Sequence, residues 1–111
     1  FPSFTKLFPA IPWFAFNGYL PIDEGEKVRA LKHFEARAIK EKQTQMFIET
    51  PYRNGKFITL MLKTLSPSTR MCIAAGVTCS NENIRTMSVA EWRKAEIPDL
   101  SHTPAIFAIG H

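Results

Sequence analysis

The chain has 111 residues, of which 45% are hydrophobic and 22% charged, the size and balance of one small globular domain rather than a disordered or fibrous segment. A net charge of +4 admits an anionic partner without requiring one. The run "LFPAIPWFAF" at residues 7–16 is broken by Pro9 and Pro12 and is too short to span a bilayer, and nothing resembles a signal peptide, so a cytoplasmic protein without membrane contact is expected.

The first thirteen residues include Phe1, Phe4, Phe8 and Trp13 and open on Phe1-Pro2. Residues 1–13 read as an apolar lead-in, the remnant of a connection to an upstream domain, and such a patch marks a contact surface. Residues 14–111 read as the domain itself.

"FAFNGY", residues 14–19, is aromatic enough for a strand, which Asn17-Gly18 can bend and Leu20-Pro21 ends. Asp23 followed by Glu26 resembles a capping box, and Val28, Leu31, Phe34 and Ala38 recur at helical spacing. These predict a helix over 24–42 whose charges, Lys27 and Glu35 among them, form a solvated face. Thr44 to Glu49 is a second strand. Thr50-Pro51 then opens a helix, with a start that can slip to Asn54, carrying the stripe Phe57, Ile58, Met61, Leu62 and Leu65 and ending at Ser66-Pro67.

"MCIAAGV", residues 71–77, is a continuous apolar run that predicts a strand buried on both faces. A weaker strand follows over 84–89, then a short helix opened by Ser88 and Glu91 and holding Trp92. Thr103-Pro104 leads into a last strand, "AIFAIG". Strand–helix–strand–helix–strand order predicts an α/β fold: a mixed, partly parallel sheet flanked by helices, with an antiparallel portion from the last two strands. The only cysteines, Cys72 and Cys79, form no CxxC pair, and His33, His102 and His111 stand far apart. They read as reduced thiols with no metal site.

Ligands of open α/β sheets bind beyond the carboxyl ends of strands. Two such ends here are unusual: Glu49-Thr50-Pro51-Tyr52-Arg53 and Ala74-Ala75-Gly76-Val77-Thr78. Glu49 or Tyr52 can hydrogen-bond a ligand, Arg53 can grip an anion, and the small residues let a flat group approach the backbone. The residues alone are equally compatible with Arg53 pairing with Glu49 while the small side chains merely pack against a helix. The chain has no glycine-rich phosphate loop and no Ser/His/Asp or Cys/His set.

The order of "FAFNGYLP", a charged helix, "TQMFIETPYRN", "MCIAAGVT" with "NENI", and "PAIF" resembles the carboxyl-terminal domain of the tetrapyrrole methylase superfamily. Within it, the chain is most similar to the branch of ribosomal RNA small subunit methyltransferase I, whose corresponding strand ends in Glu-Ser-Pro-His-Arg where this one has Glu49 to Arg53. The resemblance implies a two-domain S-adenosylmethionine-dependent methyltransferase whose glycine-rich amino-terminal domain lies outside these residues, so that these residues alone would be inactive. It places Glu49, Thr50, Ala75, Gly76, Val77, Pro104 and Ala105 against the cofactor and Tyr52 and Arg53 against the substrate. Glu49 is a catalytic base only if it faces that substrate. Implied partners are ribosomal RNA in the small subunit, the chain's own amino-terminal domain and a second copy in a homodimer. The branch's Arg-Glu-Leu-Thr run is replaced here by Ala75-Gly76-Val77-Thr78, which removes a charged pair. Methylation of a tetrapyrrole carbon, or a non-catalytic binding or dimerisation module of the same fold, are the alternatives.

Overall fold

The computed structural model describes residues 14–76 and 83–110, and Val77 lies outside them. Five strands are present: β1 (Phe14–Tyr19), β2 (Thr44–Ile48), β3 (Arg70–Ala75), β4 (Asn83–Ser88) and β5 (Ala105–Gly110). Three α-helices join them: α1 (Glu24–Glu41), α2 (Asn54–Thr64) and α3 (Val89–Lys94). Each α-helix and strand predicted within 14–110 exists, with ends shifted by one or a few residues.

The sheet order is β1-β2-β5-β3-β4. β1 and β2 pair in parallel, and every other pairing is antiparallel. β5 lies between β2 and β3 and runs against both, so β1, β2 and β3 all point the same way. The two helical crossovers therefore move across the sheet in the same direction, and a right-handed connection lands both helices on one face. β4 and β5 do supply the antiparallel portion, though not by pairing with each other: they flank β3. The predicted bend at Asn17-Gly18 is present as a register shift between Phe16 and Tyr19, with Gly18 at φ +64°, which a β-carbon disfavours.

Alternation along the strands divides the core. Phe47, Met71, Ile73, Phe107 and Ile109 pack against Leu31 of α1, Phe57, Ile58 and Met61 of α2, and Trp92 of α3. The opposite face carries a smaller buried cluster of Met46, Cys72, Ala74 and Ala108. β3 is thus buried on both faces, as its unbroken apolar run predicts. Burial pushes the free Cys72 thiol up to about 11. The indole N–H of Trp92 donates to the carbonyl of Met71 at 2.7 Å, which anchors short α3 beneath β3. Ser88 and Glu91 form the expected capping box.

Glu35 is not on a solvated face. It sits on the buried stripe of α1 with Leu31 and Ala38. One carboxylate oxygen accepts from the Ser66 backbone N–H at 2.8 Å and from the Thr69 hydroxyl at 2.5 Å, tying α1 to the α2–β3 connection. Glu35→Ala strands two donors and should lower the unfolding free energy by about 2–3 kcal/mol, with Glu35→Gln costing less. Urea titration checks this: the midpoint should fall with an unchanged m-value.

Candidate functional site

The ends of three strands meet at one edge of the sheet. Ile48, the last residue of β2, lies opposite Ile106 of β5, and Ala105 lies opposite Ala75 of β3. The backbone N–H of Gly76 donates to the carbonyl of Pro104 at 2.8 Å, closing the β3–β5 end. Gly76 takes φ +62° there, a left-handed conformation that suits glycine. The insertion of β5 thus sets Pro104 and Ala105 between Glu49-Thr50 on one side and Ala75-Gly76 on the other. Six of the seven residues assigned to a cofactor wall come together this way, and the seventh, Val77, lies outside the described residues. Pro104 is exposed and Thr50 half-buried, whereas Ala75, Gly76 and Ala105 are buried.

Asn54 holds this edge in place. Its side-chain amide donates to the carbonyls of Leu100 at 3.1 Å and Thr103 at 2.9 Å, fixing the segment that delivers Pro104 to the sheet. Nothing in sequence spacing links Asn54 to a segment forty-six residues later.

Glu49 is paired, but not with Arg53. Lys27 of α1 donates to its carboxylate at 2.8 Å, with both side chains largely buried. The other carboxylate oxygen accepts the backbone N–H of Thr50 at 2.9 Å. Burial pushes the Glu49 carboxyl up, but the Lys27 hydrogen bond, the Thr50 N–H and the charges of Lys27 and Arg53 outweigh it, leaving the group below the usual 4.5. Lys27, expected in solvent, is therefore part of the site. Its position four residues before Leu31 and eight before Glu35, on the apolar stripe of α1, is the signal that would have shown it.

The Thr50-Pro51 start is a single 3₁₀ turn, Pro51–Arg53, before α2 begins at Asn54. Thr50 makes no side-chain cap bond. That turn holds Tyr52 outward, 69% exposed, with the Arg53 guanidinium 4.9 Å from its ring centre. Tyr52, Arg53, Lys56, Phe57 and Leu60 form one wall of a groove of about 440 Å³, and Ile22, Glu24 and Lys27 the other. A second cavity, about 650 Å³, lies between the β3–β4 pair, Trp92 and residues 95–100, and of the predicted residues only Ala75 reaches it. Among the described residues no cluster of His, Cys, Asp or Glu could hold a metal, and no helix is long and apolar enough to cross a membrane.

The chain shares its fold with the methyltransferase CobJ, at a TM-score of 0.59 and 10% sequence identity. The superposition covers 97% of this chain and 47% of CobJ, so the chain spans about half the length of that enzyme. The sequence matches no protein-family model. It matches no curated protein sequence either. What the likeness shows is the fold: a mixed α/β domain of the kind present in that methyltransferase. The expected mixed α/β fold is thus one that a known methyltransferase shares, and the likeness does not extend to the ribosomal RNA methyltransferase I branch.

Because the Glu49 carboxyl is depressed, its contribution to stability is complete above its unfolded value near 4.5 and is lost as pH falls through the lower folded value. Lys27→Met leaves a buried carboxylate unpaired and should cost about 3 kcal/mol at neutral pH. Adding Glu49→Gln should recover part of that loss. Denaturant titrations of the single and double variants across acid and neutral pH measure both effects.

Proposed function

We propose that this domain is one wall of an S-adenosylmethionine-dependent methyltransferase, closing over the cofactor with the strand ends at Glu49-Thr50, Ala75-Gly76 and Pro104-Ala105. The observation that carries the reading is the convergence of those ends at one sheet edge, in a fold shared with a methyltransferase. The residues fit a flat nucleoside. Ala75, Gly76 and Ala105 put no large side chain in the way of a flat group, and half-buried Thr50 adds a hydroxyl. When bound, the cofactor supplies an electrophilic methyl on a sulfonium. The chain's own part is to orient and to exclude water.

Glu49 serves that positioning role better than a basic one. Its two oxygens already accept from Lys27 and Thr50, so it holds α1 and the β2 end together rather than waiting for a proton. Tyr52 and Arg53 lie on the next turn, facing the groove where an acceptor would rest, with a ring for stacking and a fixed cation beside it.

The acceptor we favour is the ribose 2′-hydroxyl of a nucleotide in small-subunit ribosomal RNA, for which a phenol ring next to a guanidinium is a suitable perch. Tetrapyrrole carbon methylation is the second reading. The same groove sets exposed Ile22 and Tyr52 beside Arg53 and Lys56, a surface suited to a flat macrocycle edged with carboxylates. In either reading the enzyme works as a homodimer with a cofactor-carrying partner domain.

Calorimetry on the full protein should show S-adenosylmethionine binding that survives Tyr52→Ala and Arg53→Ala. Methyl transfer should fall at least tenfold in both variants, about 1.4 kcal/mol of lost transition-state stabilisation. Radiolabelled transfer to 30S subunits and to a porphyrinoid precursor, run in parallel, decides the acceptor. Absence of cofactor binding to the full protein would leave a non-catalytic module.

A further inference from the structure

The chain's charge is not spread over its surface. Between Arg29 and Lys42, with His33 counted as neutral, the exposed charged residues are five cations, Arg29, Lys32, Arg37, Lys40 and Lys42, against one acid, Glu41. Their net charge of +4 equals that of all 111 residues, so the rest of the chain is neutral in sum. α1 buries Leu31, Glu35 and Ala38 against the sheet, which turns Arg29, His33, Arg37 and Lys40 outward on successive turns. From Arg29 to Lys40 this stripe is about 17 Å long at 1.5 Å per residue. A shallow groove of about 370 Å³ runs along it, lined by His33, Ala36, Arg37, Lys40 and Glu41. Glu41 is held by Arg37 at 3.1 Å, so Arg29, Lys32 and Lys40 have no carboxylate within ion-pair distance among the described residues.

We propose that the outward face of α1 is a docking surface for the phosphodiester backbone of a nucleic-acid strand. Two observations choose this occupant. The charge repeats along a line rather than converging on a point, which matches a chain of phosphates and not one small anion. The large apolar side chains of α1 are spent on the protein core except Ile39, too little exposed apolar surface to sink into a lipid surface. This surface goes beyond the methyl-transfer reading and stands without it.

Fluorescence anisotropy with a labelled oligoribonucleotide, and with the oligodeoxyribonucleotide of the same sequence, tests the idea on the full chain. The triple variant R29Q/K32Q/K40Q should weaken binding at least tenfold at low salt. It should also flatten the dependence of log affinity on log salt by about 2, from three lost phosphate contacts at about 0.7 each. A charge-matched control, K63Q/R70Q/K94Q, alters three exposed cations away from α1 and should keep most of both. Unchanged thermal melting of the variants confirms that each is folded. Tighter binding of either oligonucleotide identifies the source of the backbone. Equal losses in the two triple variants would overturn the proposal, because they would mean only net charge matters. So would no oligonucleotide binding, or binding confined to phosphatidylserine vesicles. Neither result depends on cofactor binding, so this surface and the methyltransferase reading can fail separately.

Discussion

The arrangement of this domain depends on where its last strand goes. β5 enters between β2 and β3 and hydrogen-bonds to both in the antiparallel sense. Without it those two strands would have no common partner, and their carboxyl ends would have no fixed separation. With it, residues far apart in the chain share one edge at a spacing set by sheet hydrogen bonding, about 4.8 Å per strand. The strand is suited to the position: Phe107, Ala108 and Ile109 are fully buried, one face meeting the helices and the other Met46 and Cys72. Its entry is fixed by Asn54, whose amide holds two carbonyls of the incoming segment.

Helix α1 is attached to this sheet by more than apolar contact. Lys27 near its start reaches Glu49 at the end of β2, and Glu35 near its middle holds the turn that leads into β3. Apolar packing alone fixes a helix loosely in rotation and sliding, because it is non-directional. Hydrogen-bonded charges at two separated points remove that freedom. Since an unpaired buried charge is costly, each alternative placement of the helix is penalised by several kcal/mol. The same two attachments consume the helix's inward charges, and of its outward cations only Arg37 has an acid partner, Glu41, among the described residues.

Much of the fold was legible because it rests on local signals. The side-chain cap at Asp23, the capping box at Ser88, the prolines at 21, 51 and 104, and the unbroken run from Met71 all act within a few residues and are written in the sequence. The site was legible only in part. Its residues were visible as odd content at strand ends, yet the partner of Glu49 was not, because Lys27 comes from another element twenty-two residues away. Proximity in sequence favoured Arg53 as that partner. The 3₁₀ turn after Pro51 instead directs Arg53 over Tyr52. Reading Lys27 and Glu35 by helical position rather than by charge would have placed both inward. Long polar side chains on an apolar stripe are informative because they are there at a cost.

The separation of charge bears on how a shallow sheet edge gains selectivity. The wall proposed for the cofactor is made mostly of small residues, which would admit a flat group but discriminate little between ligands. Discrimination must then come from surfaces around it. On one side the turn at Tyr52 and Arg53 offers a ring and a cation in fixed relation. Beyond it the cations of α1 act at longer range and through water, so they raise encounter rates more than they set orientation. A substrate with a single anionic group gains little from a track about 17 Å long. A polymer of phosphates gains at every turn of the helix, and that difference in valence is what the line of cations on α1 can discriminate.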